Sequence, residues 1–311
     1  MNLFNDDVLF KYIKTKNKLR KIYTYRSEDC NLRKKHELLV EFLKNHYVDS
    51  KFSKAYVEKE SIYTNAKAHM YNDIFIMLDI KNFFNSINHN RLIERLLFEL
   101  NTNDKNVINK AQCASIVEIC SVNKVGIPLG FVTSPILSNI YLKEFDSILY
   151  GRLKKMNLSN PIYTRYADDM CISFKVLETD LSYDDTVLEV IKIVENTLER
   201  YGLKINKKKS RSYSLYETNH IKITGVNITK KQNNYRRLTV GNAAKNKLFW
   251  DAINCYKSEK KEHREVCRIK GMLSFILSVE KSGYDLCYSN KMIELLNNLG
   301  FSTLKELIDH L

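Results

Sequence analysis

Two neighbouring carboxylates, Asp168 and Asp169, interrupt a stretch that otherwise reads as β-structure, and no other feature narrows what this chain can fold into as much. Ile162, Thr164 and Tyr166 precede the pair and Met170, Ile172 and Phe174 follow it, each set at the period of two that half-buried strands require. The pattern predicts a β-hairpin whose tight turn lifts both aspartates out of the sheet. Adjacent like charges repel unless a cation lies between them, so the pair asks for a metal. A double aspartate in a turn can also be plain solvated surface, but this one does not stand alone. Asp79 ends the apolar run Ile74, Phe75, Ile76, Met77, Leu78, which is short for a helix and reads as a strand buried on both faces. An acid in that place is costly unless paired or metal-bound. Hard divalent cations such as magnesium take oxygen ligands, and a two-metal site needs carboxylates that bridge ions roughly 3.5–4 Å apart.

A family resemblance rests on several separated stretches. Tyr166-Ala-Asp-Asp169 with its flanking strands, Asp79 followed by Phe83 and Phe84, and the stretch 126–139 from Gly126 through Gly130, Ser134 and Pro135 to Asn139 resemble the palm motifs of reverse transcriptases. They occur in the family's chain order. Asn65-Ala-Lys-Ala-His69 and Ile223-Thr-Gly225 resemble two short motifs of the bacterial retron branch, Asn-Ala-x-x-His and Val-Thr-Gly.

The resemblance implies an α+β right-hand polymerase fold with fingers, a palm built on an antiparallel sheet, and a helical thumb. Residues 1–60 would form the N-terminal part of the fingers, 61–240 the palm with an inserted fingers segment near 101–130, and 241–311 the thumb. The implied activity is RNA-directed DNA polymerase, with two Mg2+ ions held by Asp79, Asp168 and the backbone carbonyl of Ile80, and Asp169 in support. The implied partners are deoxynucleoside triphosphates, a cognate structured noncoding RNA serving as template and primer, and the cDNA product. That product would be joined to an RNA 2′-hydroxyl as branched msDNA. A separate effector protein, in an antiphage defence system, completes the expectation. The rivals are a non-retron defence or group II intron-like reverse transcriptase, and a catalytically silent RNA-binding scaffold.

The remaining candidates follow the chain. Residues 1–60 read as charged and mostly helical, with a basic stretch at Lys11, Lys14, Lys16, Lys18, Arg20 and Lys21, a strand-like piece over 19–23 and a helix over 32–45. By resemblance Arg20 holds the triphosphate of the incoming nucleotide; otherwise it is solvated surface. On a helix Asn65 and His69 share a face. They are a cap and a structural histidine, or, by resemblance, an RNA-positioning pair. Phe84, five residues after Asp79, matches the aromatic steric gate that excludes a ribose 2′-hydroxyl, although core packing accounts for Phe83 or Phe84 equally well. Ser134 suits an N-cap and Pro135 the first helical position. Gly130 lets backbone approach a ligand, and Leu129 departs from the glutamine common in the family. After a helix over 184–201 ended by Gly202, Lys208 or Lys209 matches the lysine that approaches the triphosphate. Residues 212–240 alternate like β-structure around Thr224 and Gly225, where the glycine admits a nucleic-acid strand or makes a bulge. Helices are predicted over 243–256, 266–279, 290–299 and 302–311. Thr224, Gly225, Arg236, Arg237 and Lys245 are candidate RNA or DNA contacts, and Phe249 and Trp250 are read as core.

Net charge agrees with a polyanionic partner. The chain carries +14 at neutral pH with a pI of 9.3, and residues 230–270 hold twelve Lys or Arg against four Asp or Glu. No apolar run reaches the roughly 18 residues of a membrane span and residues 1–7 lack a signal-peptide pattern, so the expected location is the cytoplasm, without membrane. The seven cysteines show no Cys-x-x-Cys pair and read as reduced thiols in or near the core.

Overall fold

The computed structural model describes residues 7–15, 18–102, 106–176, 183–230, 235–280 and 289–311. Lys16, Lys231, Cys287 and residues 1–6 lie outside the described residues, as does the side chain of Lys18. The chain divides into two compact units, one of residues 1–61 and 72–214, the other of 62–71 and 215–311.

The first unit opens with a two-stranded antiparallel ribbon, β1 (Val8–Thr15) and β2 (Lys18–Tyr25); the strand-like piece over 19–23 lies within β2, while the rest of this stretch reads as mostly helical from the sequence. The lysines disguise the strands. Val8, Leu9, Phe10, Tyr12 and Ile13 are β-prone residues, and the two strands pair in one continuous register, from Val8 opposite Tyr25 to Lys14 opposite Leu19. Helices α1 (Asn31–His46), α2 (Ile62–Ala68, part of the second unit), α3 (Phe83–Ser86), α4 (His89–Leu100), α5 (Lys110–Ile119), α6 (Ser134–Leu153) and α7 (Asp184–Glu199) follow in order. Between them run β3 (Ile74–Asp79), β4 (Ser159–Tyr166), β5 (Asp169–Lys175) and β6 (Arg211–Ser214), which form one antiparallel sheet in the order β4-β5-β3-β6. The predicted palm hairpin is therefore present, and β3 pairs beside it.

Half-burial does not describe this hairpin. Met170, Cys171, Ile172, Ser173 and Phe174 are all buried, as are Tyr163, Thr164 and Arg165 in β4. β5 is a central strand with neighbours on both edges, β4 lies at the sheet edge with Arg165 hydrogen-bonded to the 52–54 segment, and apolar helix residues cover what alternation would leave wet. Ile74, Ile76, Leu78 and Ile172 share a core with Leu92, Leu96, Ile140, Tyr141, Phe145 and Val190. Each such side chain contributes on the order of 1.5–3 kcal/mol by leaving water.

Helix α6 begins at Ser134 with Pro135 in its first turn, and Thr133 stands in the cap position. The expected Ser134 cap is replaced by a loop closure in which its hydroxyl donates to the Pro128 carbonyl at 2.6 Å.

The second unit joins α2 to a sheet of β7 (His220–Ile223), β8 (Val226–Lys230) and β9 (Arg236–Thr239), and to helices α8 (Asn242–Lys257), α9 (His263–Val279), α10 (Asn290–Asn298) and α11 (Leu304–Asp309). Residues 62–71 and 215–240, read as palm from the sequence, thus group by contact with the C-terminal helices. Thr224 and Gly225 are the two turn residues between β7 and β8, with φ of +44° and +98°. Both take the left-handed region that the tightest hairpin turns demand, so Gly225 makes a turn and not a bulge. Phe249 is core at 1% exposure, but Trp250 is 43% exposed and leaves the expected core. Of the described cysteines, all free, Cys267 is exposed, against the expectation of burial. Among the described residues no helix is long and apolar enough to cross a membrane.

Candidate active site

The three carboxylates meet through strand register. β3 and β5 run antiparallel with Asp79 directly opposite Asp169, a pairing that sets Cβ atoms about 4.5–5.5 Å apart. The β4–β5 turn consists of Ala167 and Asp168, since Tyr166 pairs with Asp169. Ile80 donates its backbone N–H to the Asp168 carbonyl at 3.0 Å, which ties the end of β3 to the turn. The Ile80 side chain is core, at 1% exposure.

Residues 204–209 close the site from the other side. Lys81 N–H donates to Lys204 O at 2.8 Å and Asn206 N–H to Asp79 O at 2.7 Å, so this segment lies along the end of β3. Its side chains then hold the buried Asp79: Asn206 Nδ2 donates to Oδ1 at 2.9 Å, and Lys209 Nζ donates to Oδ2 at 2.5 Å. Of the two lysine candidates, Lys209 is the one placed at the carboxylates. Lys208 instead lines a concavity of about 620 Å³ with Lys81, Lys204 and Lys207. Asn206 is a site residue that sequence reasoning passed over, masked by the lysine run around it.

The electrostatics favour a cation. Burial pushes the Asp169 carboxyl up to about 6, and repulsion from Asp168 and then Asp79 adds to it. Asp168 is raised as well, first by burial and then by Asp79, although its own backbone N–H works the other way. Lys209 and Arg20 offset both shifts in part, so the exposed Arg20 of β2 acts on the site by its charge. Three crowded carboxylates on hard oxygen atoms fit a divalent ion of the magnesium class. Among the described residues no three such groups are already drawn together as an ion's ligands. Asp79 is occupied by Asn206 and Lys209 instead.

One loop, residues 126–130, packs against α3 and β2. Gly126 has φ +49° and a Cβ there would run into the Phe84 carbonyl oxygen, which accepts from Ile127 N–H at 2.9 Å. Gly130 has φ +109° and a Cβ there would meet the Tyr23 carbonyl oxygen, while Tyr23 N–H donates to Leu129 O at 2.8 Å. What approaches Gly130 is therefore strand β2 of the same chain. Phe83 is buried, and Phe84 is half-buried beside it with ring centroids 5.2 Å apart.

The reverse transcriptase (RNA-dependent DNA polymerase) family model matches residues 13–228. This chain belongs to the reverse transcriptase family. Several curated relatives are bacterial retron enzymes. The retron Ec83 reverse transcriptase of Escherichia coli is 25% identical over 249 residues, covering 78% of this chain and 74% of that protein. The retron Ec73 enzyme of Escherichia coli is 33% identical over 128 residues, 38% of this chain and 39% of that protein. The retron Ec86 enzyme of Escherichia coli is 26% identical over 237 residues, 76% and 65% respectively. By these relatives it is a retron-type reverse transcriptase. Among solved structures, telomerase from Candida albicans with a fragment of telomeric RNA shares the fold at a TM-score of 0.50 and 14% identity, over 96% of this chain and 58% of that one.

The second unit of this reverse transcriptase holds the remaining candidates. Asn65 Nδ2 donates to Thr224 Oγ1 at 3.1 Å, so the two retron-like stretches touch across 159 positions of sequence. Asn65 is 2% exposed and His69 fully buried, whereas Thr224 and Gly225 are half-buried at the turn. Lys245 is buried at 5% exposure and donates to Glu280 Oε2 at 2.8 Å. Arg237 pairs with the same oxygen at 3.1 Å. Thr239 Oγ1 and the Val240 N–H complete the cage around Glu280, at 2.6 and 2.9 Å. Lys245 is thus spent on an internal carboxylate and is not offered to phosphate. Arg236 is half-buried in β9.

Proposed function

We propose that this protein reverse-transcribes a dedicated structured noncoding RNA, priming from an internal RNA 2′-hydroxyl to yield a branched RNA–DNA product within an antiphage defence system. The observation that carries the reading is the bond between Asn65 and Thr224, which unites two retron-like motifs in one element of the second unit. The retron relatives and the telomerase likeness support RNA as template. In domain terms, the β1–β2 ribbon and α1 serve as fingers, the β3-centred sheet as palm, and helices α8 to α11 as thumb.

At the site, Asp79, Asp168 and the Ile80 carbonyl would hold two magnesium ions, with Asp169 in support. Bound there, the metal supplies the acidity that activates the priming hydroxyl and the positive charge that steadies the leaving pyrophosphate. The protein does the rest. Asn206 orients Asp79, Lys209 presents an ammonium whose proton affinity is raised by its bond to Asp79, and Arg20 and Lys208 offer further positive charge for the triphosphate. A separate effector protein would read the product.

Phe84 would floor the sugar pocket. Phe84→Ala is expected to raise ribonucleotide incorporation relative to deoxynucleotide by about a hundredfold, the equivalent of losing roughly 2.7 kcal/mol of steric exclusion. Single-nucleotide extension with each sugar checks it, and an unchanged ratio would leave Phe84 a packing residue.

The function is tested by purifying the protein with its bound RNA, sequencing that RNA, and treating the extended product with a debranching enzyme. One discrete structured RNA and a product shortened by debranching are the expected results. A product indifferent to debranching overturns the branched priming, and a protein that binds RNA but incorporates no deoxynucleotide is a scaffold.

A further inference from the structure

Arg165 is a fully buried guanidinium one strand position from the catalytic turn, and nothing in the copying reaction itself asks for it. Its Nε and Nη2 form a forked pair with both oxygens of Asp146 on α6, each at 2.9 Å. Burial works against the charge, and Asp146 more than restores it. The third nitrogen, Nη1, reaches the Asn139 side-chain oxygen at 3.2 Å and the Ala167 carbonyl at 3.3 Å.

A structural account explains only the first part. An ion pair sealed in a core is seldom worth more than apolar side chains of the same volume. What apolar side chains cannot supply is the contact with Ala167. That residue takes φ +57°, a left-handed conformation that is unfavourable for a residue with a Cβ by about 1–2 kcal/mol. The peptide after it carries a carbonyl at one end and the Asp168 N–H at the other. The carbonyl receives Nη1, and the N–H belongs to Asp168, whose side chain leaves the backbone at the next atom. The plane is held at its carbonyl end, and its tilt sets the direction in which the Asp168 side chain leaves the backbone.

The backbone of Arg165 strengthens the hold. Its N–H donates to Phe52 O at 2.8 Å and its carbonyl accepts from Lys54 N–H at 2.7 Å. Asn139 is fixed in turn, accepting from Ser53 Oγ at 3.0 Å and donating to Ala55 O at 3.0 Å. The turn is therefore referenced to α6, the helix that the 126–131 loop enters, so one rigid link spans the carboxylates and the loop that braces Phe84.

We infer that Arg165 is a positioning residue: through the Ala167–Asp168 peptide it aims the Asp168 carboxylate at the divalent ion. The inference rests on the polymerase reading of the three aspartates. Outer-shell groups of this kind are worth about 10–100-fold in metal affinity or activity.

The test compares Mn2+ binding, followed by electron paramagnetic resonance without nucleotide, in three variants whose folding is checked by circular dichroism. Arg165→Lys keeps a cation for Asp146 but cannot span to the Ala167 carbonyl. The triple variant Arg165→Met, Asp146→Leu, Tyr163→Phe removes the buried polar set together, including the Tyr163 hydroxyl that donates to Asp146 at 2.8 Å. Asp168→Asn is the reference. The expected result is a folded Arg165→Lys protein whose Mn2+ affinity drops about 10–100-fold, with kcat falling while KM for the deoxynucleotide holds. The triple variant should match it. Affinity within about twofold of the parent in either folded variant, while Asp168→Asn loses binding, overturns the role of Arg165 alone. An unfolded Arg165→Lys protein also overturns it, since the arginine would then serve the whole fold. If Asp168→Asn is itself silent, the metal site falls and Arg165's role with it.

Discussion

Asp168→Asn and Asp169→Asn, made together, abolish primer extension while leaving the protein at least as heat-stable as the parent. The two halves of this result have one cause. Both carboxyl groups sit above their ordinary range, Asp169 at about 6, because desolvation at the site and then mutual repulsion among the three carboxylates disfavour their charged forms, although Asp169 keeps an exposed face. A group whose folded pKa is raised opposes folding once it ionises, so in metal-free buffer at pH 7 neutral amides in those places relieve the folded state. Catalysis moves in the opposite direction, since the amides cannot balance a divalent ion. Losing about 4 kcal/mol of charge stabilisation in the transition state corresponds to about a thousandfold in rate. Extension assays with deoxynucleotides, alongside thermal melts with and without Mg2+, check both parts. A double variant that still copies at a tenth of the parental rate would refute the site.

The second large effect concerns stability. Glu280, 4% exposed, ends α9 and binds Lys245 of α8, Arg237 and Thr239 of β9, and the Val240 N–H beyond it. Glu280→Ala leaves the Lys245 ammonium buried without its counter-charge, and such losses typically cost about 3–5 kcal/mol. The second unit should then melt well below the parent, read by thermal unfolding. The pH dependence has a definite sign. Burial pushes the Glu280 carboxyl up, but the bonds from Lys245, Thr239 and Val240 outweigh it and the group titrates below its ordinary value of 4.5. Its contribution is therefore complete above pH 4.5 and fades as pH falls through the lower folded value. Glu280→Gln should flatten that acid limb. An acid limb that persists unaltered in Glu280→Gln would assign it to other carboxylates.

How much of this was legible beforehand varies by element. The catalytic hairpin and its partner strand were readable because each is announced locally, by alternation around a double aspartate and by a short apolar run ending in Asp79. Most helices were readable too, from periodicity and from stops such as Gly202. Of the β1–β2 ribbon only the piece over 19–23, inside β2, was readable; β1 was not, because lysines on a two-stranded ribbon look like the charged face of a helix. Lys245 looked like a phosphate contact because a lysine's destination depends on what lies opposite it. Here that is Glu280, 35 positions away. Asn206 and Arg165 were invisible for the same reason.

Taken by itself, the order of residues determined the polymerase family, the three carboxylates and the strands that bear them, since period, turn chemistry and motif spacing act over a few positions. Tertiary structure alone decided which of two lysines reaches Asp79, that Gly130 yields to Tyr23, that Asn65 meets Thr224, and that a buried arginine steadies the turn. Those outcomes depend on register between strands and on groups that meet across 19 to 159 positions of sequence, where no local pattern reaches.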